Sequence, residues 1–154
     1  MPSLGTTLLT LVALVTSTGC YLADWNVTHI HNPRWPPHAK FHNGQTMSMG
    51  LVLGLTTLYY LYQYVSVVPS STKARALYSV QDVRLKRSYL NTAAWVASLY
   101  WITQLSAFAY PDVLATDPEF GEGAPQVFIS GTLLVMDVLG LWLEGRVLKE
   151  VKTE

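Results

Sequence analysis

The chain has 154 residues, half of them hydrophobic and 13% charged, which is about half the charged share of an ordinary soluble domain. Ten basic residues balance ten acidic ones, which removes the bulk field that nucleic acid or a polyanionic partner would use. The length allows one domain, and the lone Cys20 excludes an intrachain disulfide and a cysteine-based metal site.

Four apolar runs approach the roughly 20 residues needed to cross a hydrocarbon core. They are Leu4 to Ala23, Thr46 to Val68, Tyr89 to Tyr110 and Gln126 to Leu143. The pattern predicts an all-α, integral membrane four-helix bundle occupying residues 1–154 as a single transmembrane domain.

The first run, LGTTLLTLVALVTSTGCYLA, is rich in Thr, Gly and Ala, residues that let helices approach closely in lipid. It reads as a helix packed inside the bundle. No Lys or Arg precedes it, which favours a retained span over a cleaved signal peptide. Next comes DWNVTHIHNPRWPP, a loop with three prolines and with Trp25 and Trp35 suited to an interface. All four histidines of the chain fall between His29 and His42. The sequon at Asn26 follows the first span directly, too near a bilayer for a bulky transferase, so Asn26 is expected to turn the chain instead.

Pro36 and Pro37 suit the first positions of a new helix, which would carry HAKFHNGQ into the second span, with Gly44 as a candidate kink. His38 and His42 are four apart and share one face of that helix. The connection PSSTKARALYSVQDVRLKR is basic, in keeping with anionic headgroups. The third span carries Trp95, Tyr100, Trp101, Gln104 and Tyr110. An acidic turn, PDVLATDPEFGEGAP, leads to the fourth span with its isolated Asp137.

Eight basic residues (Lys73, Arg75, Arg84, Lys86, Arg87, Arg146, Lys149, Lys152) fall on one side of the four spans, against Arg34 and Lys40 on the other. The positive-inside rule then predicts both termini in the cytoplasm and the histidine loop on the outer or lumenal side.

Histidine titrates near neutral pH, so His38 and His42 beside an apolar cavity suit general acid/base work on a lipophilic molecule. Asp24 and Gln104, at the outer ends of their spans, are the residues expected to orient them. Two alternatives stay open: interfacial anchoring of the loop, and metal binding completed by Asp24, His29 or His31. HAKFH lacks the glutamate of the zinc protease motif, and all four histidines lie on one side of any bound haem, so neither a metal nor a cofactor is assigned. Asp137 is a candidate intramembrane acid, since such residues usually face the bundle interior and have a role or a partner.

The stretch NPRWPPHAKFHNGQTMSMG resembles the signature of an uncharacterised family of small, mostly fungal, four-span integral membrane proteins with the pattern Asn-Pro-x-Trp-Pro-x-His-Ala-Arg/Lys-Phe-His. Some of its members lie near biosynthetic genes. The resemblance implies that His38, Phe41 and His42 belong to a defining site. A looser likeness, through length, span count and RLKRSYLNTAAW, is to the four-helix membrane enzymes of eicosanoid and glutathione metabolism, although Ala93 and Ala94 stand where those enzymes carry an acidic residue. Four-helix sterol isomerase-like proteins offer a further architectural likeness. The expected function is action on a lipophilic small molecule in an endoplasmic reticulum membrane, by isomerisation or cyclisation in lipid or secondary metabolism. The expected partners are that substrate and membrane lipids, with no nucleic acid. A scaffold, chaperone or carrier is the rival class.

Overall fold

The computed structural model of the chain describes residues 2–66 and 80–150, and these form four long helices with no strand among them. They are α1 (Leu4–Asp24), α2 (Pro37–Ser66), α3 (Val80–Ser106) and α4 (Pro125–Glu150), with two short 3-10 turns, Ala107–Ala109 and Pro118–Phe120, between the last two. The end of the second predicted span, residues 67–68, lies outside the described residues, as do Lys73, Arg75 and Lys152.

Local chemistry sets most helix ends. Ser3 caps α1 by accepting from the Thr6 amide at 3.1 Å, a partner that the first turn of a helix otherwise lacks. Pro37 opens α2 as its sequence predicts, and the helix continues unbroken through Gly44. Two helices outrun their apolar spans. α3 begins at Val80, nine residues before Tyr89, and α4 continues past Leu143 to Glu150. Gln, Arg, Lys and Glu are good helix formers, so the backbone stays helical after hydropathy has fallen away.

Each helix packs beside its sequence neighbour, and α4 closes the ring against α1. The result is an up-down-up-down bundle. Its "loop end" carries the 25–36 and 107–124 connections, and its "terminal end" holds the start of α1 and the finish of α4. Glycines set the closest approaches. A Cβ on Gly54 would stand 2.6 Å from the Ala13 carbonyl oxygen and 2.7 Å from the Ser17 amide nitrogen, and one on Gly140 would stand 3.0 Å from the Gly5 carbonyl oxygen. Two apolar clusters fill the axis. One, toward the terminal end, joins Leu9, Leu61, Tyr64, Leu90, Ala93, Ala94 and Leu148. The other, toward the loop end, joins Val12, Cys20, Met47, Ala97, Tyr100, Trp101 and Leu133.

The outside of the bundle is as apolar as the inside. Leu11 and Leu14 of α1, Val52, Leu55 and Tyr62 of α2, Trp95 and Ile102 of α3, and Phe128, Val135, Val138 and Trp142 of α4 are all exposed. Thr16, Thr57, Lys86, Ser130, Asp137 and Glu144 are buried. Two of the described helices, Leu4–Asp24 and Pro125–Lys149, are long and apolar enough to cross a membrane.

Lys86 departs from the sequence reading. Its place in the basic connection predicts a headgroup contact, yet it is buried within the bundle, while Arg84 is exposed.

Candidate functional site

The loop between α1 and α2 is folded on itself. Asn26 turns the chain as expected: its Nδ2 donates to the Ala23 carbonyl at 2.7 Å, and its Oδ1 accepts from both the amide and the hydroxyl of Thr28. Because the Thr28 hydroxyl is spent on Asn26, His29 donates from Nδ1 to Thr28 Oγ1 at 2.6 Å, a tautomer assigned from the network. The other ring nitrogen of His29 faces Asp24 at 3.7 Å. His29 also meets Trp35 edge-on, and His31 meets Trp25 in the same way. Asn32 is buried and accepts from the Arg34 amide in a tight turn. Two of the four histidines are thus part of the loop's own packing.

His38 and His42 behave differently. They stand on the first turns of α2, both exposed, with their Nε2 atoms 3.1 Å apart. One N–H lies between two imidazoles, a geometry in which one ring donates and the other accepts. Phe41, 66% exposed, stacks parallel to His38. Among the described residues no group of three or more His, Cys, Asp or Glu side chains is gathered as a metal would need.

The two residues expected to orient this pair have other partners. Asp24 accepts from Asn43 Nδ2 at 2.8 Å, tying the end of α1 to the start of α2. Gln104 lies on α3 and accepts from Ser130 of α4 at 2.6 Å. Gln104 also lines a cavity of about 160 Å³ at the loop end, together with Phe108, Val113, Leu114 and Gln126. Gln126 donates Nε2 to the Ala115 carbonyl at 2.7 Å, and its Oε1 is buried with no hydrogen-bond partner among the described residues. A buried amide acceptor left unpaired costs about 1 to 3 kcal/mol. A ligand hydroxyl or N–H would satisfy it. An ion pair between Arg34 and Glu119 links the two loops of this end.

Sequence reasoning singled out Asp137 and missed its companions. Asp137 is 4% exposed, and its Oδ1 has no partner among the described residues. One layer nearer the terminal end, Glu144 accepts from the Thr6 amide at 3.0 Å, from the Tyr64 hydroxyl at 2.7 Å and from the Ser3 hydroxyl. The first of these bonds places a carboxylate at the N-terminus of α1, where the helix dipole favours it. Seen as sequence, Glu144 and Tyr64 are an ordinary surface acid near a span end and an ordinary interfacial tyrosine. The spacing of Ser130, Asp137 and Glu144, seven residues each, was the available signal.

No curated protein and no solved structure matches the chain. A family model matches residues 8–153, a range that includes the histidine loop, all but the first turn of α1 and the other three helices, and the chain belongs to this family, the family of unknown function DUF6640.

Proposed function

We propose that the chain is a four-span protein of the endoplasmic reticulum membrane, with both termini cytoplasmic, that acts on a lipophilic small molecule at its lumenal end. The observation that carries the membrane reading is the polarity of the bundle. Large apolar side chains face outward on all four helices, while Thr16, Thr57, Lys86, Ser130, Asp137 and Glu144 are turned inward. In water such a surface would exceed the apolar patches that monomers tolerate, and in lipid it is the expected one. α2 and α3 then cross as members of the bundle, with Trp25 and Tyr110 at the interface.

The cavity beside Gln104 supports the ligand reading. Its volume, about 160 Å³, is below the roughly 300 to 1,000 Å³ of a site that engulfs a whole drug-sized ligand. It suits the polar end of a longer molecule whose apolar body lies along Phe108 and Leu114. The Gln126 Oε1 and Gln104 amides would recognise a hydroxyl or amide there. Proton transfer, the basis of an isomerase or cyclase, falls to the His38 and His42 pair at the same end. The signature NPRWPPHAKFH then marks the lumenal entrance.

Metabolite profiling of a deletion strain tests the function. Accumulation of one defined lipophilic precursor is expected, whereas broad loss of other membrane proteins would place the chain with scaffolds or chaperones. Topology is tested separately by cysteine labelling at Gln81 and Gly121, on a Cys20→Ala background. Reaction of both positions from the same side of the membrane would remove the four-span arrangement.

A further inference from the structure

Down the inner face of α4, Ser130, Asp137 and Glu144 follow one another at intervals of seven residues, and all three are buried. Seven residues are close to two helical turns, so the three stand in one file about 10 Å apart along the axis. Packing accounts for the two ends of the file. Ser130 donates to Gln104 of α3, and Glu144 takes donors from Ser3, Thr6 and Tyr64. Hydrogen bonds of this kind hold membrane helices together.

Packing does not account for Asp137. Along α4 it falls between Leu133 of the loop-end cluster and Leu148 of the terminal-end cluster, and its Oδ1 has no partner among the described residues. The contacts of Gln104 with Ser130 and of Gly5 with Gly140 set the register. They bring Asp137 level with about Ala97 on α3 and Leu8 on α1, and the Thr6 bond to Glu144 extends that level to Ala13. Thr57, one turn from Gly54 on α2, gives its hydroxyl to the Leu53 carbonyl. Tyr60 of α2 is about level with Asp137 and only partly buried, packed against the terminal-end cluster, and the buried ionisable groups of the packed helices lie to either side. Glu144, Tyr64 and Lys86 are toward the terminal end, and Cys20 and Tyr100 are toward the loop end.

We propose that this file is a proton relay through the bundle, with Asp137 as its mid-membrane proton-binding group. A hard metal ion would ask for six or more oxygens, whereas a single buried carboxyl takes a proton. An unpaired carboxylate at this depth is costly, and taking up a proton removes its charge. In each turnover an O–H bond breaks at Asp137 as a proton leaves toward Glu144, and an O–H bond forms there as another arrives from the Ser130 side. Both ends of the file reach solvent. Ser3, in contact with Glu144, is exposed, and Gln104 lines the loop-end cavity. Each 10 Å step is longer than one hydrogen bond, so a proton crosses it only when water enters between the apolar layers. The inference rests on the four-span reading but not on the identity of any substrate.

The test is reconstitution of the full chain into phosphatidylcholine vesicles holding a pH-sensitive dye, with proton entry driven by a valinomycin potassium potential. Wild type and Asp137→Glu are expected to acidify the lumen, and Asp137→Asn to fall to the rate of protein-free vesicles. Dicyclohexylcarbodiimide, which attacks protonated carboxyls in membranes, should block wild type and leave its mass adduct on Asp137. That readout needs no variant to fold. Wild-type flux equal to that of empty vesicles, or full flux in Asp137→Asn, overturns the relay. Flotation separates the two ideas: protein that floats with the vesicles but does not conduct refutes the relay alone, while protein that does not insert refutes the membrane reading as well.

Discussion

The Tyr64 hydroxyl donates to Glu144 at 2.7 Å, joining α2 to α4 at the end of the bundle where neither short loop lies. Ser3 and the Thr6 amide bind the same carboxylate from α1, so one side chain fastens three helices. A buried carboxylate is tolerated only when its lone pairs are satisfied, and here three donors do so. Tyr64→Phe removes one of them without changing shape. It is expected to cost about 1 to 3 kcal/mol, read as a lower unfolding midpoint in detergent. Glu144→Gln, which keeps acceptor capacity, should cost less than Glu144→Ala. Equal stability of Tyr64→Phe and wild type would show that this contact does not hold the bundle.

Glycines divide into two classes with opposite expectations. At Gly54 an added Cβ meets backbone atoms of Ala13 and Ser17 at under 3 Å, which can be relieved only by moving α1. Gly54→Ala should therefore destabilise by about 1 to 3 kcal/mol. At Gly131 a Cβ meets nothing within 4 Å, so Gly131→Ala should be neutral or stabilising by up to about 1 kcal/mol through helix propensity. Thermal unfolding of the two variants side by side checks the contrast.

The fold was largely legible because apolar runs of span length and proline-rich breaks are one-dimensional signals. The start of α2 at Pro37 is read directly from such signals, whereas α1, expected inside the bundle, is one wall of a four-helix ring with Leu11 and Leu14 exposed. Partners are not one-dimensional. Gln104 and Asp24 were rightly placed at span ends, but their bonds to Ser130 and Asn43 depend on helix rotation, which hydropathy does not encode when both faces are apolar. Lys86 is illegible for the same reason: a basic residue near a span end looks like a headgroup contact whichever way its face turns.

Arg34 and Glu119 connect the two loops of one end through an exposed ion pair. Such pairs contribute about 0 to 1 kcal/mol, so the effect belongs to the loops and not to the bundle. Arg34→Glu should open the 107–124 connection to protease cleavage while leaving the unfolding midpoint almost unchanged. The double exchange Arg34→Glu with Glu119→Arg should restore resistance. Failure of the exchange to do so would mean that the loops are held by other contacts.

The histidine cluster separates into a pair that packs and a pair that is displayed, and mutation should separate them in turn. His29 holds Thr28 by a hydrogen bond, faces Asp24 and meets the Trp35 ring. His29→Ala removes one hydrogen bond from Thr28, which keeps its bond to Asn26, and a loss of about 0.5 to 1.5 kcal/mol is expected. His38 and His42 touch chiefly one another and Phe41 at an exposed surface. His38→Gln and His42→Gln should therefore stay within about 0.5 kcal/mol of wild type. Glutamine still hydrogen-bonds but does not carry a proton near neutral pH, so either variant should fail to clear the precursor that accumulates in a deletion strain. A double His38→Gln, His42→Gln variant that clears it fully would remove proton transfer from this pair and leave the motif an architectural part of the entrance.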